Sequence, residues 1–151
     1  MHIVVRLYLR TAFVFLALGL VTGLWIEFQT TTGGTVTHGM IVAHVHLLLV
    51  GFMVMMIVGT ALWLFPRSGR REPIGPYHNL VTFAYVLLTA GTLVRATTEF
   101  FDVALGSQVW AYVRLAASTA QVSGILIGIF SLWGRIRGAA IAKIAPPDPS
   151  P

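Results

Sequence analysis

Long runs of apolar residues, separated by short polar segments, dominate the sequence. A helix rises 1.5 Å per residue, so roughly 20 mainly apolar residues are needed to cross about 30 Å of hydrocarbon. Four runs are long enough, and each predicts one membrane-spanning helix. These runs extend over about Leu7–Trp25, His38–Phe65, Tyr77–Thr97 and Ser107–Trp133.

Glycine, proline and charged residues mark the segments between the runs. The expected loops are Gly33-Gly34, Pro66 to Pro76 and Asp102 to Gly106. The proline-rich end, residues 146–151, cannot be helical and is expected to be disordered. We therefore predict an all-α integral membrane protein, with a single four-helix transmembrane domain over residues 1–145 followed by this tail.

Composition supports a membrane protein and excludes several other classes. Apolar residues make up 56% of the chain and charged residues 10%, and the mean hydropathy is +0.82. Soluble domains carry about 25% charged residues. The net charge of +5 comes from residues at the borders of the apolar runs, where lipid headgroups rather than nucleic acid would meet them. The absence of cysteine excludes disulfides, thiolate metal sites and iron–sulfur clusters.

The distribution of charge predicts the orientation of the helices. Three clusters of basic residues border the apolar runs, and all three fall on one side of the membrane: Arg6 and Arg10; Arg67, Arg70 and Arg71; and Arg135, Arg137 and Lys143. The opposite side carries the acidic residues Glu27, Glu99 and Asp102. The positive-inside rule then places both termini in the cytoplasm. We expect a multi-pass protein of the inner cell membrane, with the lipid bilayer as its main surroundings.

Three of the five histidines lie within nine residues at the outer end of the second run: His38, His44 and His46. Ionisable side chains inside a membrane span are costly and by default mark a functional site. Two structural alternatives remain. His38 could be an interfacial residue at the start of the helix, and His44 and His46 could form hydrogen bonds that join helices.

Helical geometry restricts what His44 and His46 can bind. Two positions apart correspond to about 200° around the helix, so the two side chains face nearly opposite ways and cannot both bind one metal ion. A planar cofactor with one axial histidine suits this geometry better. Gly51 shares the face of His44, and Gly59 is close to it, so these glycines could leave a slot for a macrocycle. The alternative is close packing of helices at small residues.

The segment from Ala43 to Phe52, with His44, His46, Gly51 and Phe52, resembles the second transmembrane helix of haem-copper oxidase catalytic subunits, particularly the C-family oxidases and nitric oxide reductases. In that family a histidine followed seven residues later by Gly-Phe binds the low-spin haem b. The resemblance therefore implies His44 as a haem b ligand, with His46 where the oxidases usually carry asparagine. The His-x-His form with Gly-Phe also resembles the NnrS haem-containing membrane family.

The sequence departs from the oxidases in one important respect. Catalytic subunits have about a dozen helices, and their other haem ligands and binuclear-metal histidines lie on later helices that have no counterpart here. The sequence therefore predicts a haem protein without a binuclear centre, and no complete oxidase or reductase activity of this chain alone.

Polar residues form stripes on the third and fourth runs and should face the bundle interior. The stripe on the third run comprises His78, Thr82, Tyr85, Thr89 and Thr92. The stripe on the fourth run comprises Arg114, Ser118, Gln121, Gly124 and Gly128. Arg95 and Arg114 lie at the level of the histidines, and guanidinium groups bind carboxylates bidentately. We expect both to bind haem propionates. The alternatives are salt bridges to Glu27, Glu99 or Asp102, or snorkelling to the interface.

A second axial ligand is difficult to find within one chain. His78 begins the third helix at the opposite side of the membrane, more than roughly 20 Å in depth from His44. The outer halves of the other runs contain no histidine or methionine. A six-coordinate haem thus predicts either a homo-oligomer that supplies His38, His44 or His46 from another copy, or a ligand from an unwound helix end. The spacings Gly19-x3-Gly23 and Gly124-x3-Gly128 could support close contacts within or between protomers.

Three functions remain open at this stage. The first is a haem b-binding membrane protein for electron transfer, with a respiratory-chain redox partner, or for binding nitric oxide, carbon monoxide or oxygen. The second is a copper-binding or copper-delivery protein that uses His38, Met40, His44 and His46, because imidazole and thioether ligands suit copper. The third is a non-catalytic assembly subunit whose histidines only form hydrogen bonds.

Overall fold

The computed structural model describes residues 3–65, 76–101 and 108–141, with side chains for 3–65, 79–101 and 108–133. The described residues form four long helices, each long and apolar enough to cross a membrane. Their bounds are α1 Ile3–Thr32, α2 His38–Leu64, α3 Pro76–Phe100 and α4 Gln108–Ile141. The predicted all-α, four-span architecture is confirmed, and the cytoplasmic position of the termini stays a prediction. The predicted tail at residues 146–151, the segment 66–75 and the segment 102–107 lie outside the described residues.

Three of the four helices, α1, α3 and α4, are longer than the apolar runs that predicted them. α1 continues from Trp25 to Thr32 because a helix ends where its backbone is capped, not where its apolar run stops. Gly33 adopts a left-handed conformation, with φ of 74°. The Gly34 amide donates to the Gln29 carbonyl at 2.8 Å. This pattern is a Schellman cap, and it favours glycine at the left-handed position.

α2 begins and ends close to the predicted bounds. Thr37 caps its start, with the hydroxyl oxygen accepting the Met40 amide at 3.3 Å. The helix ends at Leu64 because Phe65 precedes Pro66, and the residue before a proline disfavours the helical conformation. Between these ends, residues Leu47–Val54 form a π-helical segment, which the sequence pattern did not predict. Such wide turns are uncommon and frequently occur near functional sites.

The four helices pack as two neighbouring pairs. α1 packs along α2, α4 packs along α3, and α2 contacts α3. The buried core includes Tyr8 and Phe15 of α1, Met55 of α2 and Leu88 of α3. Large apolar side chains on the outer faces, such as Phe130, are exposed, as expected for surfaces that face lipid.

Both predicted polar stripes have described members that face inward. Thr92 and Gln121 are buried, and the Gln121 Nε2 donates to the Thr92 Oγ1 at 3.1 Å across the α3–α4 contact. In the other half of the bundle, the Tyr85 hydroxyl lies 2.7 Å from the Thr11 hydroxyl, and the Tyr8 hydroxyl donates to the Val81 carbonyl. These bonds satisfy polar groups that lipid could not.

The glycine pairs Gly19/Gly23 and Gly124/Gly128 lie at contacts between helices of the same chain. A Cβ at Gly124 would lie 3.1 Å from the Ala84 carbonyl oxygen, so the missing side chain permits close approach of α3 and α4. Gly19 faces Leu48 and Gly23 faces His44 across the α1–α2 contact. Of the two uses predicted for these spacings, the structure shows the contacts within a protomer.

Candidate functional site

His44 lies in the contact between α1 and α2, where its imidazole forms a hydrogen bond with the backbone of α1. The Nδ1 atom is 2.9 Å from the Gly19 carbonyl oxygen and 3.4 Å from the Thr22 Oγ1. The Thr22 hydroxyl itself donates to the Gly19 carbonyl at 2.8 Å. Since a carbonyl oxygen only accepts, this bond assigns the proton to Nδ1 and the free lone pair of the neutral ring to Nε2.

Gly23 provides the space for this imidazole. A Cβ at Gly23 would lie 2.7 Å from the His44 Cε1 and 3.2 Å from its Nδ1. Real Cβ atoms do not approach other heavy atoms so closely, so any side chain here would displace the ring. α1 therefore fixes His44 in two ways, by an acceptor at Gly19 and by open space at Gly23.

His46 faces a different helix. Its Nδ1 lies 2.8 Å from the Val42 carbonyl oxygen, one turn earlier in α2, and 3.3 Å from the Glu99 Oε2 on α3. The prediction that His44 and His46 face nearly opposite ways is confirmed, since one contacts α1 and the other α3. The two imidazoles do not converge on one metal ion.

Glu99 joins His46 to Arg95. The Arg95 Nε donates to the Glu99 Oε1 at 2.8 Å, an i,i+4 pair on α3. Glu99 is 8% exposed, and its Oε2 has no hydrogen-bond partner among the described residues. The salt-bridge alternative for Arg95 is therefore observed, with Glu99 as the partner. Only Nε takes part, so the terminal nitrogens of Arg95 make no hydrogen bond to the described residues.

Gly51 is packed against α1 in this structure. A Cβ at Gly51 would lie 2.6 Å from the Phe15 Cγ, because the ring of Phe15 on α1 fills that space. Gly59 faces the Tyr8 Cβ in the same way, at 2.9 Å. Both glycines do face α1, the side that His44 also faces. The alternative of close helix packing is therefore observed at Gly51, and its place in a haem site stays a prediction.

The remaining predicted site residues are more dispersed. His38 is exposed at the first position of α2, and Arg114 is half-buried on α4, where its carbonyl accepts the Ser118 hydroxyl at 2.7 Å. His78 lies in the first turn of α3, but its side chain is outside the described residues. Within the described ranges, no three His, Asp or Glu side chains converge on a metal position. The histidines of the copper hypothesis are thus not brought together.

Two contacts of this site were not predicted from the sequence, namely the approach of Glu99 to His46 and the hydrogen bond of His44 to a backbone carbonyl. The salt bridge of Arg95 to Glu99 was among the alternatives predicted from the sequence. The approach of Glu99 to His46 joins two helices and has no local signal. The acceptor for His44 is a backbone carbonyl, which no residue type reveals.

Comparison of the chain with known protein families identifies the family to which it belongs. A family model described as cytochrome c and quinol oxidase polypeptide I matches residues 3–149, almost the whole chain. No curated protein and no solved structure gives a significant match. Because the family match includes all four helices and His44, the chain belongs to the cytochrome c and quinol oxidase polypeptide I family, the haem-copper oxidase subunit I proteins.

Proposed function

We propose that this chain is a haem b-binding membrane protein in which the Nε2 of His44 would bind the haem iron. The observation that carries the proposal is the 2.9 Å contact between the His44 Nδ1 and the Gly19 carbonyl oxygen. Histidines that bind metals almost always donate their other ring N–H to a carboxylate, a carbonyl or water, which fixes the tautomer and the ring orientation. His44 has this arrangement within a family that normally binds haem.

The charges near the histidines are compatible with haem propionates. Arg95 presents five N–H donors in total, and Glu99 uses only the Nε donor. The terminal nitrogens can therefore pair with a propionate while Glu99 holds the side chain in place. Arg114 on α4 is the second candidate for this role, as the sequence predicted.

The haem would supply one-electron redox chemistry or, with an open axial position, the binding of nitric oxide, carbon monoxide or oxygen. The contribution of the chain is orientation and exclusion of water. Gly19 and Gly23 hold the imidazole of His44, and the buried side chains of Phe15 and Leu47 keep the adjacent α1–α2 contact dry. Burial of the site and the identity of the axial ligand would then set the potential of the iron.

The same proposal includes an inner-membrane location with both termini in the cytoplasm and a redox partner in the respiratory chain. Support comes from the basic residues, of which Arg6 and Arg10 are exposed at the inner end of α1. No binuclear centre and no complete oxygen or nitric oxide reduction are proposed for this chain.

One specific observation favours a second candidate, an assembly subunit without a cofactor. Both His44 and His46 have hydrogen-bond or ionic partners within the bundle, namely Gly19 and Glu99. Histidines that only join helices would have the same contacts. The two candidates differ in one property, which is whether the purified protein absorbs visible light.

Absorption spectra of the purified protein, oxidised and reduced, test the proposal. We expect a Soret band and sharp reduced α and β bands, all abolished by His44→Ala while the protein still inserts in the membrane. His78→Ala is the matched control and should retain the bands. A colourless protein from cells supplied with haem precursors would favour the assembly subunit, and full retention of the bands in His44→Ala would exclude His44 as the ligand.

A further inference from the structure

The carbonyl oxygen of Gly19 on α1 is approached by more hydrogen-bond donors than it has lone pairs. The Thr22 hydroxyl donates to it at 2.8 Å, and the His44 Nδ1 lies 2.9 Å from it across the α1–α2 contact. Gly19 also lies inside a regular α-helix, where each carbonyl accepts the amide four residues later, here that of Gly23. A carbonyl oxygen has two lone pairs. The hydroxyl of Thr22 and the imidazole of His44 therefore compete for one acceptor.

We propose that Thr22 is a positioning residue that weakens the hydrogen bond between the His44 Nδ1 and the Gly19 carbonyl, and thereby raises the reduction potential of a haem iron held by the His44 Nε2. The effect on the iron rests on the proposed function. The competition at the Gly19 carbonyl does not, because it involves only groups of this chain.

The two distances from the Thr22 Oγ1 show through which atom it acts on His44. This oxygen lies 2.8 Å from the Gly19 oxygen and 3.4 Å from the His44 Nδ1. A hydroxyl has one hydrogen, and here that hydrogen is directed at Gly19. The contact at 3.4 Å is longer than the usual range of about 2.7–3.2 Å for N–H···O bonds, so the Thr22 oxygen is a poor acceptor for the imidazole. Thr22 thus acts on His44 through the shared carbonyl.

The surroundings of this carbonyl make the competition effective. Gly19 is buried, and Thr22 and His44 are half-buried where α1 meets α2. The side chain of Leu48 lies directly against Gly19 from the other helix. In such surroundings a hydrogen bond is electrostatically stronger than in water, and neighbouring bonds polarise one another. Loss of one donor at the Gly19 oxygen is therefore felt by the remaining donors.

The hydrogen bond at Nδ1 controls how strongly the other ring nitrogen donates to a metal. A partner that accepts the Nδ1 proton strengthens the metal-binding nitrogen as a donor, and stronger donation favours the oxidised iron. Hydrogen bonding around the ligands is one of the means by which a protein sets the potential of a haem. Removal of the Thr22 hydroxyl should therefore strengthen the bond from His44 to Gly19 and lower the potential.

A merely structural role of Thr22 has a matched control in the same helix. The Thr30 hydroxyl donates to the Ile26 carbonyl at 2.9 Å at an exposed position of α1. Bonds of this kind between a threonine and the preceding turn affect the local geometry of a helix. Thr30→Val removes such a bond away from His44, whereas Thr22→Val removes the one that shares the Gly19 oxygen.

Proton magnetic resonance of the purified full chain, labelled with isotopic histidine, tests the competition whether or not haem is present. The sample is reduced and saturated with carbon monoxide, so that the iron of any bound haem is diamagnetic. We expect Thr22→Val to shift the Nδ1 proton of His44 downfield, because a stronger hydrogen bond deshields the proton. Thr22→Ser, which keeps the hydroxyl, and Thr30→Val should leave the resonance in place. The resonance is assigned by its loss in His44→Gln, and an unmoved or upfield resonance in Thr22→Val would overturn the proposal.

Potentiometric titration of the haem-containing protein tests the effect on the iron. We expect Thr22→Val to shift the one-electron equilibrium about tenfold toward the oxidised form, at the lower end of the effects of groups that orient metal ligands. A tenfold shift corresponds to about 59 mV for one electron. Thr22→Ser and Thr30→Val should keep the original potential. If Thr22→Val does not insert in the membrane, Thr22→Ala removes the same hydroxyl and has the same expected result.

The outcomes separate this inference from the proposed function. An unchanged or higher potential in Thr22→Val, or an equal shift in Thr22→Ser, would overturn the role of the Thr22 hydroxyl while the haem bands remain. Absence of the haem bands from the original protein would overturn the proposed function and with it the effect on the iron. The resonance of the His44 proton then decides the competition at Gly19 by itself.

Discussion

His46 on α2 and Glu99 on α3 approach each other to 3.3 Å between Nδ1 and Oε2, in the same half of the bundle where His44 contacts α1. Glu99 also accepts the Arg95 Nε, so one buried carboxylate lies between two basic side chains. This relationship gives the two neighbouring histidines different surroundings. His44 is held by a neutral carbonyl, whereas His46 is held beside a carboxylate that joins two helices.

The first prediction concerns the carboxylate. Glu99→Gln keeps the shape but removes the charge that faces Arg95 and His46. We expect the free energy of unfolding to fall by about 1.5–3 kcal/mol, the contribution of a hydrogen bond to a charged group, while haem absorbance is retained because His44 does not contact Glu99. Chemical unfolding in detergent measures the first effect and the reduced spectrum the second. Glu27→Gln, at an exposed position of α1, is the control. Loss of the haem bands in Glu99→Gln would instead show that Glu99, through His46 or through Arg95, is needed to hold the haem.

The second prediction uses two glycines that differ in their surroundings. Gly23→Ala would place a Cβ 2.7 Å from the His44 Cε1, whereas Gly128→Ala would place one 3.7 Å from Val58, an ordinary contact. We expect roughly 10- to 100-fold weaker haem binding in the first variant, the loss typical when the groups that orient a metal ligand are disturbed. The second variant should bind haem normally and gain up to about 1 kcal/mol from helix propensity. Titration of both variants with haem measures their affinities. Equal affinities would show that the orientation of His44 does not contribute to haem binding.

The sequence was sufficient for the architecture because hydrophobic length is a local property. Each apolar run predicted one helix, and the opposite directions of His44 and His46 followed from helix periodicity alone. The sequence could not show which residue packs against Gly51, because that contact joins two helices, and here the neighbour is Phe15. The π-helical segment Leu47–Val54 was also missed, because apolar side chains of this kind suit either helix geometry.

The third prediction concerns orientation in the membrane. The chain has no native cysteine, so any labelling by a maleimide comes from the single cysteine that is introduced. Gly69→Cys, between basic residues, should react only after the membrane is permeabilised, because the positive-inside rule places that segment in the cytoplasm. Thr35→Cys, at an exposed position between α1 and α2, should react with an impermeant maleimide in intact cells. The reverse pattern would invert the proposed orientation.

The last prediction concerns the second axial position of the iron. His44 is held against α1, and His46 lies beside Glu99 on the opposite side, so one copy of α2 does not offer two imidazoles to one iron. A second copy could supply His38, which is exposed at the start of α2.

We therefore expect a solubilised monomer to contain five-coordinate haem that binds carbon monoxide, and a six-coordinate spectrum only in oligomeric fractions. Size-exclusion chromatography with spectra recorded before and after carbon monoxide addition separates these species. His38→Ala should convert the oligomer to the carbon monoxide-binding form, whereas a monomer with a six-coordinate, carbon monoxide-insensitive spectrum would require both ligands from a single chain.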